Sequence, residues 1–286
     1  MLAPQHALAA RHLHEHGFAV IPEAIIPASR ADRLAAACSE RLSRLLTQVE
    51  EIGYDPLEQS YQFAELCHRQ RLRWDMQPSF EEAQLRDDWA EMCAAVLETA
   101  APIVDAALAL PIGDGAAADA ADPPRLAMSG AVLSRPGCEA QSFHADASPA
   151  HFETASRQQR YRLFTAFVPL VDVAADGDGT QFWSGSHRGA GRARARRGIA
   201  ADGTLRSASA ATAPLVAPAC RKGGLLLFDY RVLHRGLPNA GRERPVAYAV
   251  CSTGGAWDGD NFPQQSLVDA SPLYVEHTPC WEEAEC

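Results

Sequence analysis

The chain of 286 residues lacks any uninterrupted apolar run approaching the ~20 residues that a bilayer-spanning helix needs, so no transmembrane segment is expected. It also lacks positive charge in excess: 26 Lys and Arg stand against 36 Asp and Glu, a formal net charge of −10. Nucleic acid and anionic membrane surfaces both reward a basic protein, so neither is an expected partner. No Cys-x-x-Cys pair occurs. The eight cysteines are scattered, and Cys38, Cys67, Cys93 and Cys251 lie in apolar segments, as reduced core thiols do. Where a secretory signal would place its apolar core, the N-terminus has His6, Arg11, His12 and His14. Internal repeats are absent too. These absences lead to the expectation of a soluble protein in a reducing, cytoplasmic setting.

What is present suits one large domain, since 47% hydrophobic and 22% charged residues are ordinary globular values. Residues 5–16 read as a helix, and 17–22 as a short strand between breakers. Leu34, Cys38, Leu42, Leu45, Leu46 and Val49 have helical spacing over 29–51, with Ser29 as the expected N-cap. Residues 53–79 are mixed, 80–110 read as helical with a break near Pro102, and 111–124 as a surface loop. After Pro124 come short strands at 126–134, 140–146, 162–173, 180–183, 223–230 and 244–252, with Asp176-Gly177-Asp178-Gly179 as a turn. The predicted fold is mainly β with N-terminal helices, a helix-supported jelly roll. One domain covers 1–286: mainly helical support over 1–124, the jelly-roll core over 125–256, and a C-terminal extension over 257–286. Residues 189–213, rich in Gly, Ala, Ser and Arg, are expected to form a long loop, either a lid that closes over the site or a surface insertion without a role.

The chemistry gathers on Gln141-Ser142-Phe143-His144-Ala145-Asp146. Residues two apart in a strand share a face, so His144 and Asp146 can take neighbouring positions on one metal ion. His234, just past the apolar run 223–230, is the candidate third ligand from the opposite wall. Two imidazoles and one carboxylate on one face of an ion form the donor set of non-haem iron(II) oxygenases. His12 and His16, four apart on a helix, are better explained by a solvated amphipathic face. His151 and Glu153 form a weaker His-x-Glu pair without a strand pattern, and His151 is expected at the substrate mouth. His187 reads as a structural hydrogen bonder. Phe182 and Trp183 are more often core than substrate clamp, but both are carried as pocket candidates.

Charge counting extends the site. Iron(II), one carboxylate and two neutral imidazoles carry one net positive charge, and a chelating oxo-diacid would leave a second carboxylate pointing into the protein. Burying that carboxylate unpaired costs several kcal/mol, so a cation is needed, and arginine meets a carboxylate bidentately. Arg244 opens the apolar strand 244–250, ten residues beyond His234. If it faces inward, Val246, Tyr248 and Val250 share its side and wall the pocket. Arg242 is the fallback.

In order, Gln-x-x-His-x-Asp, Asp-Gly-Thr-x-x-x-x-Gly-Ser-His-Arg, Leu-Phe-Asp-x-x-x-x-His-Arg-Gly and an Arg ten residues on resemble the phytanoyl-CoA dioxygenase family. The opening strand Gly17-Phe18-Ala19-Val20-Ile21-Pro22 is similar as well, so the resemblance spans nearly the whole chain. It implies a double-stranded β-helix with Fe(II), 2-oxoglutarate and O2 as cofactors. It further implies His144, Asp146 and His234 as metal ligands, Arg244 on the 2-oxoglutarate C5 carboxylate, and Gln141 and Thr180 as hydrogen-bond partners of the cosubstrate. Ser184 departs from the family, where many relatives have Pro before Gly-Ser-His. The expected activity is hydroxylation of an unactivated C–H bond in a small molecule, with release of succinate and CO2. Desaturation, epoxidation or ring formation are other outcomes of the same chemistry. A non-redox cupin-like isomerase or hydrolase, and a jelly-roll binding protein without turnover, are the competing classes.

Overall fold

The strand Arg244–Thr253 shows how the layers arise. Its small residues Ala247, Ala249 and Cys251 are completely buried in a helix-covered core. Arg244, Val246, Tyr248 and Val250 alternate with them and face a cavity. The same two-sided pattern runs through the whole of a seven-stranded antiparallel sheet.

A computed structural model of the chain describes residues 2–111, 123–157, 161–206, 214–258 and 265–267. In chain order these form α1 (Pro4–His16), β1 (Phe18–Ile21), α2 (Ala28–Glu51), β2 (Leu66–Gln70), β3 (Arg73–Met76), α3 (Ala83–Ala109), β4 (Arg125–Ser134), α4 (Pro149–Arg157) and β5 (Arg162–Pro169). Then follow β6 (Thr180–Trp183), α5 (Gly189–Gly198), β7 (Leu215–Val216), β8 (Leu225–Asp229), β9 (His234–Gly236) and β10 (Arg244–Thr253). The large sheet has the order β1-β8-β5-β10-β4-β3-β2, and a small sheet the order β7-β6-β9. Isolated antiparallel bridges from Cys138 to Asn239 and from His144 to His234 extend the small sheet along β9. The two sheets face each other across the cavity, with α1, α2 and α3 on the outer face of the large one.

The helices adhere through side chains such as Met92, Val96, Ile103 and Val104, all completely buried. Each fully buried side chain of this kind contributes roughly 1.5–3 kcal/mol. Of the described helices, α3 is the one long and apolar enough by composition to cross a membrane, and it packs here against α1, α2, β4 and β10 as a core helix. The expected break at Pro102 does not occur, and α3 runs through it. Proline removes one helical hydrogen bond, but Ala100, Ile103 and Val104 clamp both sides of it into the core.

Other expectations shift. Pro27, not Ser29, is the residue before α2, and no side chain caps that helix. Residues 140–146 form no continuous strand; a single isolated bridge, from His144 to His234, replaces it. The mixed stretch 53–79 supplies two strands, β2 and β3, which join the large sheet with β1. Within 189–213, residues 189–198 are helical and Ile199 bridges Leu205, while 207–213 lie outside the described residues. The same holds for 112–122 of the predicted surface loop and for most of the extension 257–286.

Candidate metal centre

His144 and His234 face each other through their backbones. The amide of each donates to the carbonyl of the other, at 3.0 and 2.8 Å, which brings the ring centroids to 4.5 Å. Each imidazole is then fixed by its own Nδ1, which donates to Ser142 O at 2.9 Å in His144 and to Val232 O at 3.1 Å in His234. A carbonyl can only accept, so the proton sits on Nδ1 and the lone pair on Nε2. Burial first, then the neighbouring His234, pushes His144 down to about 4, which keeps it in the neutral form that a metal takes. Asp146 comes in from the following turn. Its Oδ2 accepts from Thr165 Oγ1 of β5 at 3.1 Å, and its Oδ1 lies 3.5 Å from His234 Nε2. One donor atom from each of the three residues lies within 4.8 Å of the others. Among the described residues no other group of His, Cys, Asp or Glu meets that test. Two imidazoles and a carboxylate are a donor set for a divalent transition metal.

The triad opens on a cavity of about 1750 Å³ whose wall includes Arg244. That guanidinium is buried, its Nη1 has no hydrogen-bond partner among the described residues, and the carboxylate of Asp178 lies 3.6 Å from it. Burial lowers its basicity and Asp178 partly restores it. A buried cation with an unused donor marks a place for an anion. Arg242 is exposed and reaches the carbonyl of Asp172 instead.

A profile of the family described as Phytanoyl-CoA dioxygenase (PhyH) matches residues 13–245. The chain belongs to the phytanoyl-CoA dioxygenase family. This family groups iron(II)- and 2-oxoglutarate-dependent oxygenases, and the jelly roll with its His–Asp–His triad is the corresponding fold. Among solved structures, HygX from Streptomyces hygroscopicus, with nickel and 2-oxoglutarate bound, aligns over 97% of this chain and 98% of its own at 14% identity and a TM-score of 0.54. The non-heme alpha ketoglutarate dependent carbocyclase SnoK from nogalamycin biosynthesis aligns over 96% and 94%, at 18% identity and 0.51. The epimerase SnoN from the same biosynthesis aligns over 86% and 80%, at 19% identity and 0.51. At these identities the likeness establishes the fold. No curated protein matches the chain by sequence.

The remaining candidates of this family member divide between cavity and core. Gln141, Thr180 and Tyr248 are in the cavity wall. Gln141 Oε1 accepts from the Gly236 amide at 3.0 Å, which ties its side chain to β9. Phe182 is not in the wall: it is completely buried and stacks on Phe18 at 4.6 Å. Trp183 is likewise core, edge-on to Phe143. His151 faces Tyr161 and Tyr230 rather than the cavity, and burial lowers its basicity. Phe182 shares a face of β6 with Thr180 but is covered by Phe18, Phe228 and Val232, and on α4 it is Phe152 and Glu153, not His151, that reach the wall. His187 is the expected hydrogen bonder, its Nε2 3.1 Å from the His14 carbonyl.

Among the wall residues absent from the sequence expectation are Arg69, Arg73 and Asp75, on β2 and β3. Their strands carry charge toward the cavity, which removes the apolar alternation that identifies a strand. Leu66, Trp74 and Met76, all completely buried on the opposite face, are the signal that remains.

Proposed function

We propose that this protein is an iron(II)- and 2-oxoglutarate-dependent oxygenase that hydroxylates a C–H bond of a small organic molecule. The observation that carries the reading is the pairing, in one cavity, of a preoriented His144–Asp146–His234 triad with the underused buried cation Arg244. The donor set fits iron(II), and the orphaned guanidinium nitrogen fits the far carboxylate of 2-oxoglutarate. His144, Asp146 and His234 would hold the metal, Arg244 the C5 carboxylate, and Gln141 and Thr180 would hydrogen-bond the cosubstrate. Iron(II) bound there supplies O2 activation, with one oxygen atom passing to succinate as 2-oxoglutarate loses CO2 and the other to the substrate.

The chain itself contributes orientation and shielding. Ser142 O and Val232 O hold the imidazoles in one tautomer, and Thr165 fixes the carboxylate. The apolar wall of Val246, Val250, Phe167 and Leu226 keeps water from the reacting centre. Asp146 takes the carboxylate position, which leaves no protein position vacant for a halide. A cavity of this size suits a substrate larger than the cosubstrate. The names of SnoK and SnoN, a carbocyclase and an epimerase, place ring closure and epimerisation among the activities of structures that share the fold.

Anaerobic addition of iron(II) and then 2-oxoglutarate tests the proposal: a weak visible charge-transfer band is expected on the second addition. Binding of 2-oxoglutarate without that band would favour a non-redox metalloenzyme, for which Arg244 has no use. A mass-spectrometric screen of metabolites for the gain of one oxygen atom then finds the substrate, and a product lacking that gain would replace hydroxylation by another outcome.

A further inference from the structure

The inner face of the large sheet carries a polar chain that the proposed metal and cosubstrate contacts leave unused. Tyr248 of β10 donates its hydroxyl to Asp75 Oδ1 of β3 at 2.9 Å, reaching over the intervening β4. Gly130, its partner on β4, makes the crossing possible, since a Cβ there would sit 2.3 Å from the tyrosine oxygen. The other Asp75 oxygen accepts from Arg69 Nη2 of β2, also at 2.9 Å. Tyr248, Asp75 and Arg69 thus form a line across four adjacent strands, all of it in the cavity wall. Asp75 and Tyr248 are buried, so the line is held rigidly.

Arg69 ends this line with most of its donors unspent. Among the described residues, its one hydrogen-bonded contact is the bond to Asp75, and its side chain keeps 26% of its surface open in the cavity wall. A guanidinium presents five N–H donors, so Asp75 engages only part of the fork. Arg73, close by, behaves differently: its fork is spent on the carbonyls of Glu139, Gly236 and Leu237 and on the Gln70 amide oxygen. Arg73 therefore ties the sheets together, and Arg69 is left for a ligand. Arg69 shares the wall of one cavity with His144, Asp146 and His234. The surroundings favour an anion. On a chain of net charge −10, the cavity wall has six arginines, Arg69, Arg73, Arg192, Arg196, Arg206 and Arg244, against four carboxylates. Two of those carboxylates are engaged already, Asp75 by Arg69 and Asp146 at the triad.

We propose that Arg69, positioned by Asp75 and Tyr248, receives an oxyanion of the primary substrate in the cavity of the metal centre, so that this substrate is an acid: a carboxylate, phosphate ester or sulfate. The inference rests on the oxygenase reading in assigning Arg244 and the metal to the cosubstrate. The substrate's charged group then sets which of its C–H bonds lies at the metal.

The full-length protein, loaded anaerobically with iron(II) and 2-oxoglutarate, is titrated with benzoate, phenyl phosphate and phenyl sulfate, and with benzamide as the neutral control. Binding is followed by calorimetry and by perturbation of the visible band. At least one anion is expected to bind where benzamide does not, and the best of the three identifies the oxyanion. Arg69→Gln is expected to weaken that anion by about tenfold or more, the size of a lost charge-assisted hydrogen bond. Arg69→Lys should recover part of the loss, and Tyr248→Phe should fall between wild type and Arg69→Gln. Failure of every anion to bind, equal binding of benzamide, or unchanged affinity in both Arg69→Gln and Tyr248→Phe would overturn the proposal. So would a loss in Arg196→Ala without one in Arg69→Gln, which moves the anion to the cavity mouth. Absence of the band in wild type is a separate result against the oxygenase reading, and calorimetry still reports on Arg69 in that case.

Discussion

His187 is buried, and burial pushes it down to about 4 from an ordinary value of 6.5. In the unfolded chain it regains that ordinary value. Between about pH 6.5 and about pH 4 the unfolded state therefore binds a proton that the native state refuses. Stability should fall as pH drops through that window, by up to about 3 kcal/mol from this residue. Urea midpoints measured across the window should shift less steeply with pH in His187→Asn than in wild type, and parallel slopes would remove His187 as a source. Arg244 offers a second test. Arg244→Ala should raise the 2-oxoglutarate requirement strongly while iron still binds, since a buried charge-assisted fork is worth about 2–5 kcal/mol. Arg244→Lys should recover only part, and Arg242→Ala, on an exposed side chain, should change little. A larger defect in Arg242→Ala would reassign the anchor. The triad and Arg244 are legible in the sequence because a metal site needs particular donor types at short spacing. Arg69 and Asp75 are not, because nothing in their neighbours marks them: the turn between β2 and β3 has Leu72 at φ 64°, where Gly or Asn would announce it.

Elements were legible where one face is apolar and the other wet. The outline of α2 follows from its Leu and Val spacing, and β10 from an alternation that also gives the inward face correctly. Legibility fails where tertiary packing overrides a local signal. At α5, a segment rich in Gly and Arg is helical because Ala195 and Gly198 seat it on Trp183, where a Cβ on Gly198 would come within 2.3 Å of the ring. In α3, Pro102 sits inside a helix that the core holds together around it. The cost of that proline should be recoverable. Pro102→Ala is expected to raise stability by about 1–3 kcal/mol, since an interior proline forgoes a hydrogen bond and crowds the preceding turn. Denaturant midpoints measure this, and an unchanged or lowered midpoint would mean that the core is shaped around the proline.

At the scale of the molecule two sheets face each other across a cavity, and the triad spans them. His144 and His234 belong to the small sheet, while Asp146 is tied to Thr165 on the large one. The other cross-links include the bonds from Arg73 on β3 to the Glu139 and Leu237 carbonyls. Local opening begins where few contacts hold, so the metal-free protein should lose the small sheet before the helix-covered one. A ligand that binds only the closed arrangement stabilises it by about 2.7 kcal/mol at a hundredfold excess over its dissociation constant. Loading with zinc(II), which has no redox chemistry, should therefore slow amide hydrogen exchange at His144 and His234, whose N–H groups form the bridge between the ligand segments. Amides of α3 should be unaffected, since they lie behind the large sheet. In Asp146→Ala the small-sheet effect should vanish while the fold persists, because removing the carboxylate removes the tie to the large sheet and one ligand together. Slowing that survives in Asp146→Ala would place the metal elsewhere, and equal exchange in loaded and metal-free wild type would mean that the triad does not close on a metal at all.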